Sequence, residues 1–292
     1  MKFQLKAIAV AALFVSAAAA QAQVQFGANA EFDVTKVSGS SLSNGGRVEL
    51  NAGARGTSGD AFVEGKGTVL IKTDGDTAVD DAWIAAGTKA FDVKLGRFEA
   101  TDLFPLQDTV LEQAGFVGYR ANALRGRVDS KSAHAALNIY AAQGLKLELG
   151  AITSSTEGKS TGFRPTVSYS AGSVSFAAGL ETVKVKGTSG SNTGVGVTGA
   201  YSLSDSAKVG LAFAKMDESK SIGMYGVFGS GKIGVIINDG AASTDNATTV
   251  YGSYTFPLLN VKGASITPAF SYSKPDSGDA ITALRVRLRY DF

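Results

Sequence analysis

From Val24 to Val34 the chain alternates without a break, apolar at every even position and polar or glycine at every odd one. Side chains two apart share a face of a β-strand, so this ribbon is greasy on one side and wet on the other. The same period returns in 47–52, 63–69, 91–95, 145–149, 163–169, 195–201, 208–213 and 266–272. The terminal stretch restricts the fold most. Arg285, Arg287 and Arg289 share one face there, and Leu284, Val286, Leu288, Tyr290 and Phe292 share the other. In a bilayer, slipping this strand by one residue turns the arginines to lipid, at ~2–4 kcal/mol for one at the midplane. The register is thereby fixed with the guanidinium groups toward an enclosed lumen. The five apolar side chains must then meet lipid, a neighbouring subunit or another sheet.

Two kinds of connection join these segments. Short ones, such as 171–173, 204–206 and 230–231, alternate with longer polar ones, such as 154–161 and 187–193. Transmembrane barrels have this asymmetry, with tight periplasmic turns and longer outer loops. Obeying both rules gives about sixteen antiparallel strands with both termini at the periplasmic rim. Residues 122–128 fit that count as an inserted segment or a strand extension. The 36 glycines against 5 prolines suit tight turns and thin strands. A soluble β-sandwich shows the same period, but thin strands with many Ala and Gly on the apolar face pack a poor core, whereas lipid demands no interlocking. Tyr169, Tyr201, Phe256, Tyr272 and Tyr290 fall near strand ends, as an interfacial girdle requires. The expected fold class is all-β, a transmembrane antiparallel barrel.

Lys2 and Lys6 precede the apolar run 7–15, and Ala20-Gln21-Ala22 supplies a small-residue cleavage site, the order of a secretory signal peptide. Residues 1–22 are expected to be removed on export, leaving 23–292 as the barrel. The apolar run is too short for a spanning helix of ~20 residues. Cleavage takes away two lysines and no acid, so 26 basic face 26 acidic side chains in the mature chain. A neutral chain offers no nucleic-acid patch. With no cysteine, disulfides and Cys-based zinc sites are excluded, and neither metal nor cofactor is expected.

The alternation lapses from Arg97 to about Arg120. A structureless loop of this length is uncommon unless it is functional or disordered. Leu103, Phe104, Leu106, Val110 and Leu111 argue for a segment packed on something. The nearest surface is the inner barrel wall, so residues 98–120 are expected to fold inward as a constriction. They bring Glu99, Asp102, Asp108 and Glu112. Parity turns Arg47, Lys66, Lys94, Arg164, Arg285, Arg287 and Arg289 to the lumen, and Arg97, Arg120, Arg125 and Arg127 adjoin the insertion. Opposed acidic and basic walls set a transverse field that orients dipolar solutes and biases ion traffic. The plainer reading is a solvated interior in which each arginine balances a nearby carboxylate. Trp83, Phe98, Phe104, Phe116 and Tyr119 are candidate flat faces for a sugar, although Trp83 also reads as an interfacial or packing aromatic.

Several of these stretches carry a family resemblance: Asp80-Asp81-Ala82-Trp83-Ile84, Lys94-Leu95-Gly96-Arg97-Phe98-Glu99-Ala100, Leu103-Phe104-Pro105, Gly118-Tyr119-Arg120-Ala121-Asn122, and the terminal strand closing on Phe292. Together they resemble the Gram-negative porin family, in its carbohydrate-porin branch. The resemblance implies a 16-stranded homotrimeric channel in a bilayer containing lipopolysaccharide, an inward-folded third loop, and a C-terminal phenylalanine recognised by the barrel assembly machinery. The chain is short for that family and its outer loops are trimmed.

The expected function is passive diffusion of small hydrophilic solutes, sugars foremost, with no enzymatic step. Three alternatives stand beside it: a general anion-biased porin without a sugar site, a structural or adhesive barrel with a plugged lumen, and an outer-membrane lipase. The lipase reading rests on His134, the one histidine, which shares the inward face with Asn138.

Overall fold

The computed structural model describes residues 23–106, 118–127, 131–240 and 246–292. The expected leader lies outside them, as do Asp108, Glu112 and Phe116. Each alternating segment forms a strand paired antiparallel to its neighbours in sequence. The first five are β1 (Gln23–Val37), β2 (Leu42–Ser58), β3 (Ala61–Lys72), β4 (Thr77–Gly87) and β5 (Phe91–Arg97). After the insertion come β6 (Ser132–Ala142), β7 (Leu145–Ser154), β8 (Ser160–Ala171), β9 (Val174–Val185), β10 (Asn192–Ser204) and β11 (Ala207–Met216). The wall continues through β12 (Ser219–Phe228), β13 (Gly231–Asp239), β14 (Ala247–Tyr254), β15 (Phe256–Pro257), β16 (Ala264–Pro275) and β17 (Ile281–Asp291). β14 and β15 both pair with β16 and form one stave interrupted at Thr255, so the sheet is a closed antiparallel barrel of sixteen strands.

Closure runs through β1 and β17, and its register places like with like on each face. Phe32 pairs with Leu288 and Val34 with Val286 on the exposed apolar side, while Glu31 pairs with Arg289 and Asp33 with Arg287 on the polar side. Arg287 grips Asp33 through Nε and Nη2, both at 2.8 Å. Such bidentate, charge-assisted contacts are stronger than neutral hydrogen bonds and fix the pairing geometrically.

The two ends of the barrel differ. At one end the connections 59–60, 172–173 and 229–230 are two residues long, with Gly59, Gly172 and Gly229 at φ of 58°, 54° and 58°. Two-residue hairpins need this left-handed backbone to match strand twist, and glycine adopts it without a Cβ clash. Exposed aromatics ring that end, among them Phe91, Tyr169, Phe176, Tyr201, Phe228, Phe256 and Tyr290. At the other end the loops are longer but still short, as in 155–159, 186–191 and 276–280. Within residues 122–127 no strand forms; an isolated bridge joins Gly126 to Glu99.

Candidate functional site

The insertion leaves β5 and returns to β6 as two limbs, 98–106 and 118–127, that hold each other. Ala100 donates its N–H to the Arg125 carbonyl at 2.7 Å, and Arg127 donates to the Phe98 carbonyl at 3.0 Å. Ala121 and Arg127 take left-handed backbone, φ 52° and 53°. Such conformations cost an L-residue about 1–2 kcal/mol and persist where surrounding contacts over-determine them.

Those contacts come from the polar faces of five strands. Glu148 of β7 accepts the Thr101 N–H at 2.9 Å and its hydroxyl at 3.1 Å. Arg164 of β8 donates Nη2 to the carbonyls of Thr101 (2.8 Å) and Ala121 (3.2 Å), one on each limb. Glu181 of β9 accepts from the Tyr119 hydroxyl at 2.7 Å and from the N–H groups of Ala123 and Leu124 at 3.1 and 3.0 Å. Ser219 of β12 accepts the Tyr119 N–H, and Asn238 of β13 accepts from Arg120 Nη2. Burial and the hydrogen bond to Glu181 push the Tyr119 phenol above the usual phenol range.

Glycine makes the seat. A Cβ on Gly196 would stand 2.5 Å from Ala121 Cβ and 2.8 Å from Leu103 Cβ, and one on Gly179 2.9 Å from Leu103 Cδ1. The missing side chains let Leu103 and Phe104 bury completely or nearly so in a cluster with Ala121, Ala177, Ala212, Ala214, Ile236 and Tyr251. Sequence reasoning missed these sockets, as well as Glu148 and Glu181. The available signal was a single carboxylate at inward parity on each of β7 and β9.

The candidate charges are brought together rather than set apart. Arg125 bridges Glu99 (3.1 Å) and Asp102 (3.3 Å). Arg127 reaches Asp80 (2.9 Å), Asp81 (3.4 Å) and Glu99 (3.8 Å). Lys66 pairs with Asp81 and Arg47 with Glu31 and Glu49. Arg289 meets Glu31 at 2.5 Å and Asp291 at 2.7 Å, and Arg285 lies 3.9 Å from Asp33. Arg97 donates Nε to the carbonyls of Val79 and Asp80 and Nη1 to that of Arg127, which ties β5 to the returning limb. A uniformly basic wall is therefore not what the described residues build, because the acids of β1 and β4 face the arginines at ion-pair distance. Lys94 differs, with its ammonium 3.8 Å from the Trp83 ring centroid.

Two candidate sugar platforms need correction. Phe98, 2% exposed, stacks on His134 with ring centroids 3.8 Å apart, and Phe104, 4% exposed, sits in the buried cluster over Gly223. Neither offers a free face, because apolar rings in an insertion lower their free energy most by docking it. Trp83 lies under Lys94, and Tyr119 uses its hydroxyl to anchor. Among the described residues no serine is bonded to His134, whose Nδ1 lies 3.2 Å from the Phe98 carbonyl oxygen.

The fold is shared with solved structures. An engineered protein described for asymmetric conductivity is similar at 17% identity and a TM-score of 0.64, covering 92% of this chain and 100% of its own. Two variants of the Rhodopseudomonas blastica porin are similar at 17% and 16% identity, with TM-scores of 0.64 and 0.62 and the same coverage. No relative is found among the curated proteins. The sequence matches the Gram-negative porin family over residues 7–291. With its closed 16-stranded wall, this chain belongs to that family of outer-membrane channels for solute diffusion.

Proposed function

We propose that residues 98–120 fold into the lumen and narrow a water-filled path through which small hydrophilic solutes, sugars foremost, diffuse passively. The observation that supports this is the set of hydrogen bonds from Thr101, Tyr119, Ala123 and Leu124 to Glu148 and Glu181 on the polar face. A polar path with fixed charges lowers the barrier by offering water and weak contacts, without covalent chemistry or energy coupling. Glu99, Asp102 and Arg125 are the described charges at the narrowing, with Asp108 and Glu112 proposed beside them. Removal of residues 1–22, assembly as a homotrimer in a bilayer with lipopolysaccharide, and reading of Phe292 by the barrel assembly machinery belong to the same proposal.

A second reading is a general anion-biased porin without a sugar site, whose lack of such a site is favoured by the burial of Phe98 and Phe104. Planar-bilayer recording separates the two. Blockade of ion current by added oligosaccharide supports the first, unaltered current supports the second, and non-conducting reconstitutions reject both. Liposome swelling with a graded sugar series gives the size limit.

A further inference from the structure

A cavity of about 420 Å³ lies where residues 98–101 face the polar sides of β2 to β7, a volume in the range of ~300–1,000 Å³ found for small-molecule clefts. Most charges that line it are already matched. Arg55 pairs with Glu64 at 2.6 Å, Lys146 with Glu148 at 2.9 Å, and Glu99 with Arg125 at 3.1 Å. Asp92 accepts from Asn138 at 2.8 Å and from the Tyr140 hydroxyl at 2.7 Å.

Two groups are left over. The Lys94 ammonium rests over Trp83 at 3.8 Å and lies 4.9 Å from the Phe98 centroid, with no oxygen partner among the described residues. A cation–π contact of this kind does not use the N–H donors as a carboxylate would. The second is Asn138, 7% exposed, whose Oδ1 has no hydrogen-bond partner among the described residues. The cavity thus combines one cationic donor without an ion pair, one unmatched buried acceptor, the Glu64 carboxylate, which meets Arg55 through Oε2 alone, and the ring of Tyr140.

We propose that this cavity is a subsite for a small hydroxylated monoanion of the sugar-acid type. Its carboxylate lies on Lys94, its hydroxyls donate to Asn138 Oδ1 and to Glu64, and its carbon skeleton lies against the ring of Tyr140. An inorganic anion satisfies the ammonium and leaves the acceptors opposed to it. A neutral sugar satisfies the acceptors and leaves the ammonium. The proposal rests on the channel reading and names a solute class within it.

Trp83 is the chain's one tryptophan, so its fluorescence reports on the cavity directly. The protein, folded in non-ionic detergent, is titrated at constant ionic strength with glucuronate, glucuronamide, glucose and sulfate. Glucuronate is expected to give a saturable change. Glucuronamide, glucose and sulfate are expected to bind at least about tenfold more weakly, as is glucuronate to Lys94→Gln, a difference of about 1.4 kcal/mol, because each lacks one of the charge-assisted or hydroxyl contacts. No saturable response to glucuronate, equal affinity for any of the three controls, or unchanged affinity in Lys94→Gln overturns the subsite. The glucuronamide comparison uses the unaltered chain and so holds even where the variant misfolds. Conductance is measured on the same preparation: open channels with a silent Trp83 reject the subsite alone, and absent conductance rejects the channel reading with it.

Discussion

Arg164 on β8 and Glu181 on β9 form an ion pair of 2.9 Å with side chains 1% and 0% exposed, and together they hold both limbs of the insertion. Breaking a buried pair from one side costs about 3–5 kcal/mol, because the remaining charge stays desolvated. Glu181→Gln should therefore loosen the insertion while the barrel stays folded. Single-channel recordings are expected to show larger mean conductance and more open-state noise, with unchanged far-UV circular dichroism. Traces identical to the unaltered protein would remove the pair from its anchoring role.

The seat is tested by sterics. Gly196→Val adds atoms where a Cβ alone is 2.5 Å from Ala121 Cβ, and overpacking of this kind costs about 1–3 kcal/mol. Protease should cut the insertion faster in this variant than in Gly199→Val, where the nearest atom to an added Cβ is 3.8 Å away. Equal cutting rates would dissociate Gly196 from the docking.

Selectivity follows from the shared arginine. Replacing Glu99 by Gln together with Asp102 by Asn uncovers Arg125, and the reversal potential in a salt gradient should move toward anions. Arg125→Gln should move it toward cations. If neither moves, the three side chains lie off the ion path.

Alkaline pH should act through Tyr119. Its phenol is held protonated above the usual range by burial and by Glu181. A folded-state pKa raised above the unfolded value of ~10 contributes stability that is complete below that pH and is lost as pH rises through the folded value. Thermal unfolding of the chain should therefore weaken above about pH 10 by more than in Tyr119→Phe. Identical alkaline losses in the two proteins would contradict the linkage.

The outer face is tested by Leu288→Arg, which aims a guanidinium away from the polar side on β17. Urea-dependent folding into lipid vesicles should lose about 2–4 kcal/mol if the position lies near the midplane. A loss of similar size in water-soluble form is not available to a barrel that folds only in lipid, so folding in plain buffer without detergent would refute the membrane assignment itself.

The staves and their facing were legible because a period of two survives any sequence of matching parity: Asp92 and Lys94, or Glu31 and Asp33, needed no partner to be assigned a side. Cross-strand chemistry was not legible. That Arg287 meets Asp33 rather than standing as an open cation depends on a register 254 residues away, which periodicity does not encode. The insertion's apolar content signalled docking, but Phe98 and Phe104 read equally as exposed platforms until the sockets were known. Gly179 and Gly196 gave no signal at all, since an inward glycine and a turn glycine look alike in a chain with 36 of them.

The seam between β1 and β17 has a consequence for biogenesis. The first stave has only one neighbour until the last arrives, so a polypeptide cut short anywhere upstream keeps two bare edges, each a template for adventitious pairing. Because the strand that completes the ring also delivers the arginines that Asp33 awaits, an unfinished chain is marked by a stranded acid as well as by open backbone, and full-length synthesis is what silences both.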